Sequence, residues 1–329
     1  MPEVVYSHSN GQAEQAQIPI FIPTVFVGLG GSGKSVLMRL RKQFHDRYSS
    51  WGSRFDRFAR FVFVDTDRGE FAPKSDKNAM FADVMPREAE VVESTIKRAR
   101  FQEVFDNLEL HVKSDHFHWL KPSMRTVGPG AVEDGAGTHR QFGRLAFFEN
   151  YGAIRQQIQA QIKDVLAYAS KHATDVASDR IEVVIVTSLA GGTGSGMFLD
   201  VAYLVRDLLS HSDYSELRIK HVTLVAFLPE IFRSTPAGAT QMPRLRQNAY
   251  AALLELEYYG TPRTGDALYL GEETSPGRGG RHGFRATWPG EGEKFFEDRG
   301  WDTLFLVDNV NNLNRADPWT DAEVFQMTA

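Results

Sequence analysis

The chain has 329 residues, 42% of them hydrophobic, and a formal charge of -5. That length buries one large core or two smaller ones, and the acidic balance excludes a general nucleic-acid binder, which needs a basic face. The lack of cysteine excludes a disulfide scaffold, a thiolate nucleophile and any zinc site built on sulfur.

Residues 1–17 are polar and aperiodic and predict a flexible leader. No basic start precedes an apolar stretch there, so they do not read as a signal peptide. Ile18–Val27 is the most apolar early run, but it is too short to span a bilayer and carries Pro19 and Pro23. These features predict a cytoplasmic protein with no membrane insertion.

From Thr24 the chain alternates strands and helices. Thr24–Val27 is a short continuous apolar run, as expected of a strand buried on both faces. The glycine loop Gly28–Gly33 follows, and Ser35–Tyr48 predicts a helix with Val36, Leu37, Leu40 and Phe44 on one stripe. Arg60–Asp67 predicts a second buried strand ending in acids, Glu88–Asn107 a helical region and Leu108–Lys113 a short strand. A glycine-rich loop, 126–138, feeds a long helical region over Arg140–Ser170. Arg180–Ala190 predicts the next strand, which opens onto Gly191–Gly196 and a helix over Met197–Leu209. A strand at His221–Phe232, a helix at Arg244–Tyr259 and strands at Ala267–Gly271 and Asp302–Asn309 complete the pattern.

The alternation predicts an α/β fold with a doubly wound, mostly parallel, Rossmann-like sheet. In such sheets ligands bind at the carboxyl ends of the strands, where each glycine loop here lies. Residues 271–300 break the alternation. Their Gly, Arg and Glu content predicts a solvated insert, with a hairpin or an interaction role as alternatives.

The first glycine loop fits two patterns at once. Gly28, Gly30 and Gly33 satisfy G-x-G-x-x-G, and Gly28 to Ser35 satisfies G-x-x-x-x-G-K-[ST]. Both describe one device: glycines admit a phosphate to the backbone, and the next helix aims its N–H groups and positive dipole end at the anion. A dinucleotide site wants an acid at the end of the second strand, and Asp65 stands there. A P-loop wants a lysine on the β- and γ-phosphates and a hydroxyl on Mg²⁺, and Lys34 and Ser35 fill those places. The N-K-x-D string with which Ras-like GTPases read guanine is absent.

The second loop, Gly191-Gly192-Thr193-Gly194-Ser195-Gly196, discriminates. Neither of those folds needs a second phosphate cradle on a later strand. Two loops converging on one crevice suit a nucleotide gripped from both sides, with the Thr193 and Ser195 hydroxyls added to the N–H donors. Four glycines in six residues at a strand-to-helix junction point to an anion rather than to packing alone.

The string AGGTGSGM, Ala190–Met197, resembles the signature loop of the tubulin/FtsZ GTPases. VFVGLGGSG resembles that family's first nucleotide loop, and FVFVDTD its second-strand ending. Gly135-Ala136-Gly137 resembles its G-A-G loop, and THRQFGRLAFFE the helix start after it. VTLVAFLP and DTLFLVDN fall where the family has its fifth and sixth strands. The likeness is greatest to divergent bacterial tubulin-like proteins.

This resemblance implies a nucleotide-binding domain over 18–312 that takes GTP or GDP with Mg²⁺. Carried over by position, Gly30, Gly31, Ser32 and Gly33, in the loop that Gly28 opens, would contact the α- and β-phosphates. Asp67 would lie by the metal. Ala136 and Gly137, flanked by Gly135 and Thr138, would meet the γ-phosphate through backbone N–H groups. Gln141 would replace a ribose-binding Glu. Gly191, Gly192, Thr193, Gly194, Ser195 and Gly196 would hold the phosphates from the other side, and Asn309 would read the base. Lys34 is unusual for the family, and either touches phosphate or starts an exposed helix face.

In this family GTP is cleaved when the next subunit docks and presents acids from a loop after a central helix. The implied partner is a second copy of the chain or another protein. Residues 313–329 resemble the beginning of that helix, with no counterpart of the acids or of the family's second domain. This implies tight nucleotide binding and slow or absent hydrolysis by the isolated chain. The alternatives are a P-loop ATPase built on Lys34 and Ser35, and a non-catalytic scaffold whose nucleotide is structural. A nicotinamide oxidoreductase has no hydride-site residues to support it.

The remaining constellations point elsewhere than to chemistry. His111, His116 and His118 read as surface histidines rather than a metal pair. Arg278, Arg281 and Arg285 are diluted by Glu291, Glu293, Glu297 and Asp298.

Overall fold

The computed structural model describes residues 21–47, 58–72, 76–108, 110, 117, 119–127, 130–172, 176–260 and 283–309. The leader, the Ala267–Gly271 strand, the three histidines near 111–118, Arg278, Arg281 and the 313–329 segment lie outside the described residues. In chain order the main elements are β1 (Thr24–Leu29), α1 (Gly30–Arg47), β2 (Ala59–Asp65), β3 (Val91–Glu93), α2 (Arg98–Asp106), α3 (Arg140–Glu149), α4 (Tyr151–Lys171), β4 (Arg180–Ser188), α5 (Thr193–Ser210), β5 (Ile219–Phe227), α6 (Pro236–Gly260), β6 (Phe284–Ala286), β7 (Lys294–Phe296) and β8 (Thr303–Val307).

Six strands form one sheet in the order β3-β2-β1-β4-β5-β8, and each neighbouring pair is parallel. Apolar runs such as Phe61–Val64 and Val183–Val186 serve this, because helices cover both faces of a parallel sheet. Alternation then splits the core in two. Val62 and Val64 turn toward Ile154, Ile158 and Ile162 of α4, while Phe61 and Phe63 turn toward Val36, Leu37 and Met38 of α1. The chain winds outward from β1 through β2 to β3, and separately from β4 through β5 to β8. β1 and β4 therefore flank the point where the winding reverses, which is where open α/β sheets bind ligands.

Several boundaries differ from the sequence expectation. α1 begins at Gly30 rather than Ser35, and α5 at Thr193 rather than Met197, so the glycine loops supply the first helical turns themselves. The helical region from Arg140 divides at Asn150 into α3 and α4. The stretch Glu88–Asn107 holds the three-residue β3 as well as α2, a strand too short to show a period. Leu108 and Leu110 have helical rather than extended backbone. None of the described helices is long and apolar enough to cross a membrane.

The second half of the insert corrects the expectation of a solvated loop. β6 and β7 pair antiparallel as a hairpin that docks on α4 and α5. Trp288 is fully buried, its indole N–H donates to Asp200 Oδ1 at 3.1 Å, and its ring stacks on Tyr151 with centroids 5.6 Å apart. Lys294 meets Asp207 of α5 at 2.7 Å, whereas Arg285 and Glu293 pair at 2.7 Å on the exposed face. Replacing Trp288 by Ala removes this anchor and should cost about 3–5 kcal/mol in urea unfolding, a loss far above that expected for a residue in a solvated loop.

Candidate functional site

The parallel register sets Gly28 opposite Val186, so β1 and β4 end side by side and release α1 and α5 into one crevice. A methyl group built on Gly30 would lie 3.4 Å from the backbone nitrogen of Gly194, and one on Gly194 would lie 3.1 Å from the carbonyl of Leu29. The two glycine turns are thus in van der Waals contact. The first amides of each helix have no acceptor within their own helix, and the positive ends of both dipoles meet here. Neither helix places an acid in its own first turn.

The glycines also answer to packing, a reason the sequence reading set aside in favour of an anion. A Cβ would meet backbone oxygen at 2.4 Å on Gly33, 2.5 Å on Gly192 and 2.2 Å on Gly196, and the Thr187 hydroxyl at 2.3 Å on Gly194. Gly196 and Gly143 let α5 and α3 cross backbone to backbone. Only at Gly191, within the second loop, does a Cβ meet nothing within 4 Å.

A third loop closes on the second through Thr66, which is fully buried. Its hydroxyl accepts the Ala136 N–H at 2.8 Å and shares a 2.6 Å bond with the Thr193 hydroxyl, and its carbonyl accepts the Gly135 N–H at 3.1 Å. Gly135 and Gly137 adopt positive φ, 93° and 58°, to make this turn. The Gly192 N–H donates to Gly137 O at 2.9 Å. From α6, Asn248 donates to the carbonyls of Thr138 and Ala190 at 2.8 and 2.9 Å, tying the second and third loops together. A groove of about 690 Å³ runs between Asp134–His139 and Thr240–Arg244. On its wall the Arg244 guanidinium lies 3.0 Å from His139 Nε2. Burial and the Arg244 charge hold that imidazole below its usual pKa.

Two carboxylates border the crevice. Asp65 is 3% exposed; its Oδ1 accepts the N–H groups of Thr66 and Asp67 at 2.7 and 3.2 Å, while its Oδ2 has no partner. Burial pushes its pKa up to about 7. Asp67 Oδ1 caps the short helical turn Arg68–Phe71 by accepting the Gly69 N–H at 2.8 Å. A buried carboxylate oxygen without a partner, beside a second carboxylate, is a donor set that suits a hard divalent cation such as Mg²⁺.

Other sequence-predicted residues are engaged elsewhere. Lys34 is 4% exposed, so it lies on no exposed helix face. Its ammonium donates to Glu70 O, Glu70 Oε2 and Asn78 Oδ1 at 2.6, 2.7 and 3.0 Å. Ser195 Oγ accepts from Arg140 Nε at 2.7 Å, and Gln141 Oε1 accepts the Lys121 N–H at 3.1 Å. These two and Gly196 line a separate cavity of about 260 Å³ with Trp119 and Arg144. Asn309 is buried at the end of β8, its Nδ2 donating to Glu230 O at 2.8 Å and its Oδ1 unpartnered. It stands two strands beyond β4, about 10 Å away. Asn248 and Thr66 were invisible as site residues in the sequence, since one is a polar position inside a helix and the other lies between two acids.

The family model described as tubulin-like matches residues 25–329, and the chain belongs to that family. CetZ2 from Haloferax volcanii, solved as a GTPγS-bound protofilament, is similar at 17% identity with a TM-score of 0.43, over 93% of this chain and 54% of that one. FtsZ from M. jannaschii, solved as an empty dimer, is similar at 15% identity with a TM-score of 0.42, over 95% of this chain and 52% of that one. TubZ of Clostridium botulinum phage c-st is similar at 13% identity with a TM-score of 0.38, over 93% of this chain and 56% of that one. The chain spans about half the length of these structures. No curated protein matches it.

Two outcomes follow from this geometry. Thr66→Val strands the Ala136 N–H and the Thr193 hydroxyl, and should cost about 1–3 kcal/mol per stranded group in urea unfolding, with Thr66→Ser largely retaining stability. Asp65 sets a pH dependence. Burial lets the folded metal-free protein hold its proton up to about pH 7, whereas the unfolded chain releases it near 3.8, the ordinary value for this carboxyl. The folded state binds the extra proton between those values, so stability should fall as pH rises through that window, by on the order of 4 kcal/mol. Asp65→Asn should flatten that part of the pH profile of urea unfolding and be the more stable protein at pH 8.

Proposed function

We propose that this member of the tubulin-like family binds GTP or GDP with Mg²⁺ at the carboxyl ends of β1 and β4. The observation that carries this reading is the contact of two helix N-termini, α1 and α5, at the point where the sheet's winding reverses. A phosphate chain there would accept N–H groups from the first turns of both helices and neutralise both dipole ends. The Gly135–Thr138 loop borders the adjoining groove, and it would face the terminal phosphate. Within it Ala136 would act by holding the loop, because its own N–H is bonded to Thr66.

Asp65 and Asp67 would hold the metal, whose chemistry when bound is to neutralise phosphate charge. Asn309 supports guanine. Its Nδ2 is occupied by Glu230, leaving an acceptor oxygen, and guanine offers N1–H and N2–H donors on one edge. The geometry of Lys34 counts against a P-loop ATPase, since its three N–H bonds are already directed to Glu70 and Asn78.

Phosphoryl transfer in such a site needs positioning and charge stabilisation more than covalent help. The carboxylate that activates water would come from a docked second copy or another protein partner, so hydrolysis would depend on assembly. In this reading residues 18–312 are the nucleotide-binding domain, 313–329 begin a central helix, and the protein works in the cytoplasm.

Denaturing the purified protein and chromatographing what it releases should yield a guanine nucleotide; release of adenine nucleotide only, or failure to bind added GTP, would sink the reading. Gly191→Val is the informative variant, because a Cβ there meets nothing within 4 Å, so the melting temperature should be little changed. It should weaken GTP binding at least tenfold. Dilute protein should release phosphate from GTP slowly or not at all, and fast turnover by monomer would contradict the dependence on assembly. Nucleotide that stays unhydrolysed through assembly would instead mark a scaffold with a structural ligand.

A further inference from the structure

Lys34 matches the lysine of a phosphate-binding loop in sequence, yet its ammonium points away from any such role. It lies under the strap Arg68–Ala72, bonded to the backbone carbonyl and the carboxylate of Glu70 and to the side chain of Asn78. Asn78 is 1% exposed and returns two bonds to the same strap, donating to Glu70 O and Ala72 O at 2.9 Å each. The Lys34 ammonium also stands 5.9 Å from the centre of the Phe71 ring. The strap begins at Asp67, whose carboxylate caps its first turn. Its other flank is pinned by the Arg68 N–H on Glu133 O at 3.2 Å and by the bridge between Asp67 and Asp134. The Glu70 carboxylate rests about a van der Waals contact, 3.5 Å, from where a Gly31 side chain would begin.

We propose that Lys34 is a positioning residue: with Asn78 it clamps the Arg68–Ala72 strap to the first turn of α1, and so fixes Asp67 relative to the phosphate cradle. The clamp joins the part of the site that faces the anion to the part that faces the cation. It rests on the nucleotide reading above and adds a prediction that reading does not make. A lysine that touched phosphate would serve binding whether or not a divalent cation is present. A lysine that positions Asp67 serves only the cation-dependent share of the affinity.

The test compares wild-type protein, Lys34→Met and Asn78→Ala, each checked for native circular dichroism, by titrating a fluorescent GTP analogue in Mg²⁺ and in EDTA. Removing Lys34 takes one cation from the half-buried Glu70 carboxylate, which can destabilise a protein; Asn78→Ala loosens the same strap without removing a charge. Wild-type protein should bind more tightly in Mg²⁺ than in EDTA. Both variants should lose at least tenfold of that gain while their affinity in EDTA stays within about threefold of wild type. Faster amide exchange confined to residues 68–72 should accompany the loss. Equal losses in Mg²⁺ and EDTA for Lys34→Met, with Asn78→Ala unaffected, would assign the lysine to phosphate and overturn the proposal, as would a full Mg²⁺ gain in Asn78→Ala. Wild-type protein that binds no nucleotide in either buffer would overturn the underlying reading instead, and the proposal with it.

Discussion

Two helix N-termini in contact bring like partial charges together, roughly half a positive charge at each end. The sheet imposes this arrangement, because β1 and β4 are neighbours, β1 runs directly into α1 and β4 reaches α5 through the short second glycine loop. Glycine makes the approach sterically feasible: a methyl group at Gly194 would strike the Thr187 hydroxyl and press on the Leu29 carbonyl, and one at Gly33 would strike the Val186 carbonyl. Neither first turn carries an acid to offset the two dipole ends. The carboxylates of Asp65, Asp67 and Glu70 all come from the end of β2 and the strap beyond it.

The Thr66 hydroxyl ties the α5 side of that meeting to the third loop. By bonding both Ala136 and Thr193 it joins loops that are 70 and 127 residues away in sequence. Asn248 repeats the connection from α6, bonding carbonyls on the second and third loops. Three loops tied at buried polar atoms move together or not at all, because breaking one such bond strands a partner away from water. This is why the crevice is defined by shape as well as by glycine content.

Much of this was legible in the sequence, and the failures share one cause. The strands announced themselves because burial on both faces leaves continuous apolar runs such as Phe61–Val64, and the resemblance of Ala190–Met197 located the second loop. The reason for its glycines was hidden, since Gly196 is needed where α5 crosses Arg140 and Gly192 where it meets Gly137. Lys34 matched a motif, but its direction is set by Glu70 and Asn78, 36 and 44 residues further on. Trp288 sat among charges that read as solvated until Asp200 and Tyr151 received it. In each case a local pattern was real and its partner lay far along the chain, where periodicity has no reach.

The site also carries two complementary deficits. On one side, first-turn amides and two positive dipole ends favour an anion; on the other, Asp65 keeps a buried carboxylate oxygen without a protein partner. Neither is relieved by the other, because the free oxygen belongs to a group that burial drives toward its protonated form, with a pKa near 7. A proton satisfies that carboxyl at low pH but leaves the amides unmet, and a bare anion would meet the amides while adding charge beside the acids. In the proposed complex a nucleotide with its divalent cation would answer both at once, the phosphates taking the N–H groups and the cation the carboxylates. In the proposed complex the two components therefore bind cooperatively, and the strap held by Lys34 is the piece of structure through which each feels the other.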